Sequence, residues 1–223
     1  MNISKNKNNC CAIIPFYNEK NTLKKIISVT SKFVDSIIIV NDGSTDSWNS
    51  EIPENGNIFL ISHEKNLGKG EALKTGFIKS IEQNNFYTIT LDADLQHDPK
   101  YIPNLLNGLI KFDMVIGKRN ILKSEMPFHR RMSNYLTSKL LSIKTGKNIL
   151  DSQSGFRGFK TEILKEILPT FSGFEAESEM IVKCCKKNYT IGYFEIPTIY
   201  GNDDSKMKAI PTILGFLKVL FKS

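Results

Sequence analysis

The sequence predicts a single α/β domain built on an open, mostly parallel central sheet flanked by helices. Three observations carry this. Short apolar runs alternate with amphipathic stretches from about residue 11 to residue 117, which implies parallel strands joined by right-handed crossovers. Polar residues gather just after the apolar runs, where such a sheet collects them along one edge. The chain has 223 residues, 40% hydrophobic and 24% charged, which suits one sizeable core.

The elements follow in order. "CAIIPFY" (11–17) reads as a buried strand, and "NTLKKIISVTSKF" (21–33) has the three-to-four apolar spacing of a helix. "SIIIVND" is a second strand and "GSTDS" a turn-rich loop. "NIFLIS" is a third strand, "KGEALKTGFIKSIEQ" a helix and "YTITLDA" (87–93) a fourth strand. Asp98-Pro99 reads as an N-cap with proline at the first helical position. It opens the helix "PKYIPNLLNGLIK", after which "DMVIG" is a fifth strand. The alternation then weakens. "FHRRMSNYLTSKLLSI" reads as a helix, "DSQSGFRGFK" as a loop entering a strand, "ESEMIVKCCKK" as a helix and "TIGYFEIPTIY" as a strand. Three segments are expected: a polar N-terminus (1–10), the main domain (11–206) and an amphipathic C-terminal helix (207–223).

Net charge is +7, from 30 basic and 23 acidic residues, which favours an anionic partner. No recognised nucleic-acid motif accompanies it, so nucleic acid is not expected. No secretory leader and no run long enough to span a bilayer is visible. The four cysteines form two adjacent pairs, Cys10-Cys11 and Cys184-Cys185. That spacing does not suit tetrahedral zinc, and a reduced cytoplasmic setting with structural thiols is expected. "PFYNEKN" after the first strand lacks the glycines of a dinucleotide fingerprint, and "NLGKGEA" lacks the phosphate-loop spacing.

"TITLDADLQHDP" places Asp92 and Asp94 two apart at the end of an apolar run. If the backbone stays extended the two carboxylates share a side. Hard oxygen ligands of this kind suit Mg²⁺ or Mn²⁺ held together with phosphate oxygens. "PFYNEKN", "VNDGSTDS", "NLGKGEALKTGF", "LDADLQHDP" and "SGFRGF" occur in this order. Together they resemble the family 2 glycosyltransferases, which have the Rossmann-like glycosyltransferase A fold. Within them the chain looks most like the dolichyl-phosphate and polyprenyl-phosphate mannose or glucose synthases.

The resemblance implies a nucleotide pocket lined by Pro15, Tyr17 and Glu19, with Asp42 reading the base and Lys69 near phosphate. It implies metal and diphosphate binding by Asp92, Asp94 and Gln96. Arg119 would follow the fifth strand. Arg131 and Ser133 would hold an acceptor phosphate, with Arg130 as an alternative. Asp151, Gln153, Ser154 and Arg157 would form the acceptor-side loop, with Arg157 near the diphosphate. Glu177 and Glu179 would approach the donor sugar. Spaced by two on a helix they do not share a face well, so one of them is expected to be solvated. Lys206, in "SKMK", would close over the diphosphate.

The implied reaction is a single displacement that inverts the anomeric carbon, moving a hexose from GDP-mannose or UDP-glucose, with mannose favoured. A polyprenyl or dolichyl phosphate acceptor is already ionised and needs no strong base. A sugar hydroxyl would need one, and Glu177, Glu179 or Asp151 would have to serve. The histidines His63, His97 and His129 are expected in structural roles. The C-terminal helix would lie in a membrane interface, giving a cytoplasmic protein attached peripherally, with help from a membrane-anchoring partner chain as one route. Two other readings stand beside this one: transfer to a glycan in envelope polysaccharide synthesis, and a catalytically silent, membrane-recruited subunit.

Overall fold

The computed structural model describes residues 9–52, 56–119, 128–197 and 209–222, with side chains for most of them. Seven strands form one sheet: β1 (Cys10–Phe16), β2 (Ser36–Asn41), β3 (Ile58–Ser62), β4 (Tyr87–Thr90), β5 (Met114–Arg119), β6 (Arg157–Lys160) and β7 (Ile191–Ile196). Among the described residues seven helices accompany them: α1 (Lys20–Thr30), α2 (Lys69–Glu82), α3 (Ile102–Leu109), α4 (Phe128–Thr145), α5 (Leu164–Ile167), α6 (Glu175–Lys186) and α7 (Ala209–Lys222).

The strand order is β3-β2-β1-β4-β6-β5-β7. β1 pairs in parallel with β2 and β4, β2 with β3, and β5 with β7. β6 alone runs the other way, antiparallel to both β4 and β5. An antiparallel strand starts where its neighbours end. The register sets Arg157 opposite both Thr90 and Ile116, so the loop before β6 arrives at the carboxyl ends of β4 and β5.

Side chains alternate across the sheet as the two-residue period requires. Ile13, Ile38, Val40, Phe77, Phe159 and Met180 build the core on one face. Ala12, Ile14, Ile37, Ile39, Leu23 and Leu105 build it on the other. All four cysteines are buried and unpaired. Burial pushes the Cys11 thiol up to about 11 and the Cys184 thiol up to about 12.

One expectation changes here. β4 stops at Thr90, and residues 91–94 leave the extended conformation before Leu95 at φ 62°. The turn allows the Asp94 carboxylate to accept the Gln96 amide at 3.0 Å, so Asp94 is held by a local bend rather than by the pleat. In the C-terminal helix, Phe216 and Val219 are buried in the core beside α6 residues. One face of that helix therefore packs on the domain. The Asp98 cap is as expected: its carboxylate accepts from Lys100 N–H at 3.0 Å, and Pro99 opens a short 3₁₀ turn.

Candidate functional site

The site lies at the carboxyl edge of the sheet, where α2, α6 and the loop before β6 meet the end of β4. Lys69 is the first residue of α2, and the chain reaches it through Gly68 at φ 101°. A Cβ on Gly68 would stand 2.4 Å from the carbonyl oxygen of Ser172, so both the backbone twist and the close approach require glycine. Gly70 N–H donates to that same carbonyl at 2.6 Å, which ties the start of α2 to the segment before α6.

Lys69 Nζ thereby reaches two carboxylates, Asp92 Oδ1 at 2.6 Å and Glu177 Oε1 at 3.0 Å. Burial opposes its charge, but Asp92 and Glu177 outweigh burial and raise the ammonium well above the usual lysine range. Asp92 is the mirror case. Burial raises it, but the cation of Lys69, with His97 and Arg119, holds it below the usual carboxylate range. For Asp94 the Lys69 cation is only a lesser influence. Burial and the neighbouring Asp92 charge push it up to about 6. The turn "DADLQH" thus holds one carboxylate neutralised by lysine and a second under electrostatic pressure.

The wall behind Asp92 comes from the β6 loop. A Cβ on Gly155 would stand 2.6 Å from Asp92 Oδ2, so any larger residue would have to displace the carboxylate or the loop. Thr90 Oγ1 donates to Gly155 O at 2.8 Å and Ser154 Oγ to Gly117 O at 2.7 Å, fixing the loop to β4 and β5. His97 is buried and stacked on Phe156, with ring centroids 5.5 Å apart and 16° between planes. Its Nδ1 lies 3.8 Å from Asp92 Oδ2, too far for a hydrogen bond. Burial depresses its imidazole to about 4, so it is neutral at physiological pH.

Arg119, at the end of β5, grips Asp151 through Nε and Nη2, both at 2.9 Å. Asp151 is fully buried and also accepts from Asn134 Nδ2 on α4 at 3.1 Å. Its burial is outweighed by Arg119, which leaves the carboxyl below its ordinary range. Arg131 is half-buried and Ser133 exposed on α4.

Several expected contacts take other partners. Arg157 is 1% exposed, and its guanidinium donates to the carbonyls of Ser152, Ser154 and Glu177. It braces the loop from inside. Asp42 is 3% exposed; it accepts from Leu67 and Gly68 N–H and bonds His63 Nδ1 at 2.8 Å. It anchors the loop that delivers Lys69, so a base-reading role has to compete with those bonds. Glu179 is buried too, on Thr170, Phe171 and Lys183. Neither Glu177 nor Glu179 is therefore solvated. The helix sends Glu177 towards Lys69 and Glu179 towards the 170–171 backbone.

At the far side, Pro15 is buried in β1, Tyr17 is 37% exposed and Glu19 half-buried. Asn18, between Tyr17 and Glu19 in the polar group expected after the first strand, stands at φ 53°. Its Oδ1 accepts from Thr45 and Asp46 N–H, stitching the β1 and β2 loops together. Asn134 and Gly155 were not singled out by sequence, although Gly155 sits inside "SGFRGF". Lys206 and the side chain of Arg130 lie outside the described residues, where no geometry bears on them.

The model of glycosyl transferase family 2 matches residues 11–168. The chain belongs to that family. As a family 2 glycosyltransferase it can be set beside named relatives. It is 30% identical to the UDP-N-acetylglucosamine–dolichyl-phosphate N-acetylglucosaminyltransferase of Methanococcus voltae, over 94% of this chain and 92% of that one. It is 28% identical to the undecaprenyl-phosphate mannosyltransferase of Micrococcus luteus, over 70% of this chain and 68% of that one. The structure of glucosyl-3-phosphoglycerate synthase from Mycobacterium tuberculosis, in complex with Mn²⁺, UDP and phosphoglyceric acid, superposes with a TM-score of 0.74. It covers 95% of this chain and 75% of that chain at 18% identity, and it identifies the glycosyltransferase A fold.

Proposed function

We propose that this family 2 glycosyltransferase moves a hexose from a nucleotide-sugar to a polyprenyl phosphate by a single inverting displacement. The observation that carries the reading is the state of the carboxylates that a hydroxyl acceptor would need as base. Glu177 is paired with Lys69, Glu179 is bound to backbone and lysine, and Asp151 is locked to Arg119. His97, at about 4, is too weak a base near neutral pH. A phosphate acceptor arrives ionised and asks for no base, so what remains is positioning and charge. The names of the Methanococcus and Micrococcus relatives, both acting on polyprenol-type phosphates, support the same acceptor class.

In this reading Lys69 and Arg119, each already paired with carboxylates of the protein, would have to exchange part of that pairing for the two anions that must be brought together. Asp94 fits a divalent cation. One of its oxygens accepts the Gln96 amide, and burial together with the Asp92 charge raises its pKa, a strain on the ionised form that a cation would relieve. Among the described residues no group of three or more His, Cys, Asp or Glu could hold a metal ion. Asp94, with Asp92 and Gln96 beside it, would therefore hold Mg²⁺ or Mn²⁺ jointly with phosphate oxygens. The bound cation would neutralise charge on the diphosphate leaving group. Arg157 and Asp42 act behind this surface, holding the loops that carry its walls.

Mannose from GDP-mannose is the donor favoured by "DADLQH" and "SKMK". The Methanococcus relative, named for UDP-N-acetylglucosamine, favours a second reading with a uridine donor. Calorimetric titration of GDP and of UDP in the presence of Mg²⁺ separates them. One nucleotide is expected to bind in the micromolar range and the other far more weakly. Binding of neither at millimolar concentration would overturn the nucleotide-sugar reading.

A further inference from the structure

Lys69 stands between two carboxylates that differ in what surrounds them. Its Nζ lies 2.6 Å from Asp92 Oδ1 and 3.0 Å from Glu177 Oε1. The Asp92 side chain is 25% exposed and belongs to the turn that carries Asp94 and Gln96. The Glu177 side chain is 7% exposed and stands on α6, where its own carbonyl accepts from Arg157 Nη1 at 2.7 Å. The glutamate is the fixed partner, and the aspartate is the one open to exchange. Lys69 also opens α2, and the positive end of a helix dipole is a poor place for an ammonium. It depends on carboxylate partners to stay there. Phe174, at the start of α6, adds its ring 5.5 Å from Nζ. α6 thus holds the lysine by two side chains and the β4 turn holds it by one.

Asp92 has a second place to go. His97 Nδ1 is buried and has no hydrogen-bond partner among the described residues, and it lies 3.8 Å from Asp92 Oδ2. A carboxylate freed from the lysine needs to shift by only about 1 Å to accept from the tautomer protonated at Nδ1. The arrangement that pairs Asp92 with Lys69 leaves that buried nitrogen unsatisfied, and releasing the lysine would repair it.

We propose that Glu177 is a positioning residue: it keeps hold of Lys69 when Asp92 passes from the lysine to the divalent cation, and so aims the ammonium at the diphosphate. This rests on the proposed transfer from a nucleotide-sugar, and it names the pairing that Lys69 gives up. While it is paired with Asp92, Lys69 competes with a cation for that carboxylate. Once it turns to the diphosphate, held from behind by Glu177, Asp92 is free, so nucleotide and cation each favour the other's binding. Glu177 touches neither ligand in this account. Simple charge predicts the opposite effect of removing it. A glutamate beside a diphosphate site repels the anion, so losing its charge should tighten nucleotide binding. If Glu177 acts by holding Lys69, losing it should weaken binding instead.

GDP and UDP would each be titrated calorimetrically, with Mn²⁺, into the full chain as wild type, Glu177→Gln, Lys69→Met and the double variant. E177Q is expected to weaken the nucleotide that wild type binds by at least about fivefold, the low end of ordinary coupling between sites. In the K69M background the same substitution should cause no weakening, because Glu177 acts through the lysine. Mn²⁺ alone, followed by water-proton relaxation, should bind K69M at least about fivefold more tightly than wild type, since no lysine then competes for Asp92. E177Q keeps the Lys69–Asp92 pair, so its titration decides the matter even where K69M does not fold. E177Q binding the nucleotide as tightly as wild type, or more tightly, would overturn the proposal while leaving the nucleotide-sugar reading standing. Equal weakening by E177Q with and without Lys69 would also overturn it, as would Mn²⁺ binding K69M no better than wild type. A wild type that binds neither nucleotide would remove the proposed reaction and this inference with it.

Discussion

Lys69 and Asp92 form a half-buried ion pair of 2.6 Å, made between the first residue of a helix and the turn that ends β4. Glu177 completes it at 3.0 Å. Replacing Lys69 with methionine would leave two carboxylates facing each other without a cation. Breaking a fully buried pair from one side costs about 3–5 kcal/mol, and partial exposure of both partners places this one below that range. K69M should therefore unfold at markedly lower urea and lose transfer activity. Unfolding curves for K69M and for K69M combined with Glu177→Gln check this, because removing Glu177 should return part of the lost stability.

Arg157 separates a brace from a ligand. If its guanidinium serves the carbonyls of residues 152, 154 and 177, lysine replaces it badly, since an ammonium lacks the planar fork. Hydrogen bonds from charged donors are worth about 1.5–3 kcal/mol each. R157K should lower the melting temperature by many degrees even without substrate. An R157K protein as stable as wild type but with a raised donor KM would show the side chain reaching substrate instead.

Gly155 predicts a steric effect with a defined target. A methyl at this position would meet Asp92 Oδ2 at 2.6 Å. G155A should push Asp92 off Lys69 or open the loop before β6. Activity should fall at least tenfold, on the order of the effect of a 1 Å misplacement, with a smaller loss of stability than K69M. Steady-state kinetics and thermal melting together check this.

Asp151 supplies a pH dependence of stability. Its carboxyl is buried, but the Arg119 pair outweighs burial and depresses it. A depressed carboxyl contributes stability that is present above its unfolded value of about 3.9. That contribution is lost as pH falls through the lower folded value. Wild-type stability should thus decline steeply below about pH 4. D151N should be less stable at neutral pH and show a flatter acid limb. Urea midpoints between pH 7 and pH 3 read both.

Much of the fold was legible because its signals are local. The alternation that places Ile13 and Ile38 on one face and Ala12 and Ile37 on the other is visible in the letters. The antiparallel β6 was not, since nothing in "RGFK" states which neighbours it will pair with. The site divides the same way. Lys69, Asp92 and Asp94 stand in conspicuous motifs, and the structure brings them together with Glu177. What the letters did not distinguish was a charged residue facing a ligand from one facing the chain's own backbone. Arg157, Asp42 and Glu179 look like site residues in their motifs, yet their bonds go to carbonyls and amides of neighbouring loops. The Gly155–Asp92 approach is a long-range contact with no local pattern.

Transfer of labelled sugar to a short polyprenyl phosphate, scored as label entering organic solvent, tests the central claim most directly. GDP-mannose, UDP-glucose and UDP-N-acetylglucosamine would each be offered with Mg²⁺ or Mn²⁺ to wild type and to Asp94→Ala. The account predicts lipid-linked label with one donor and its loss in the variant. No lipid-linked label with any donor, from a protein that binds the nucleotide, would contradict it.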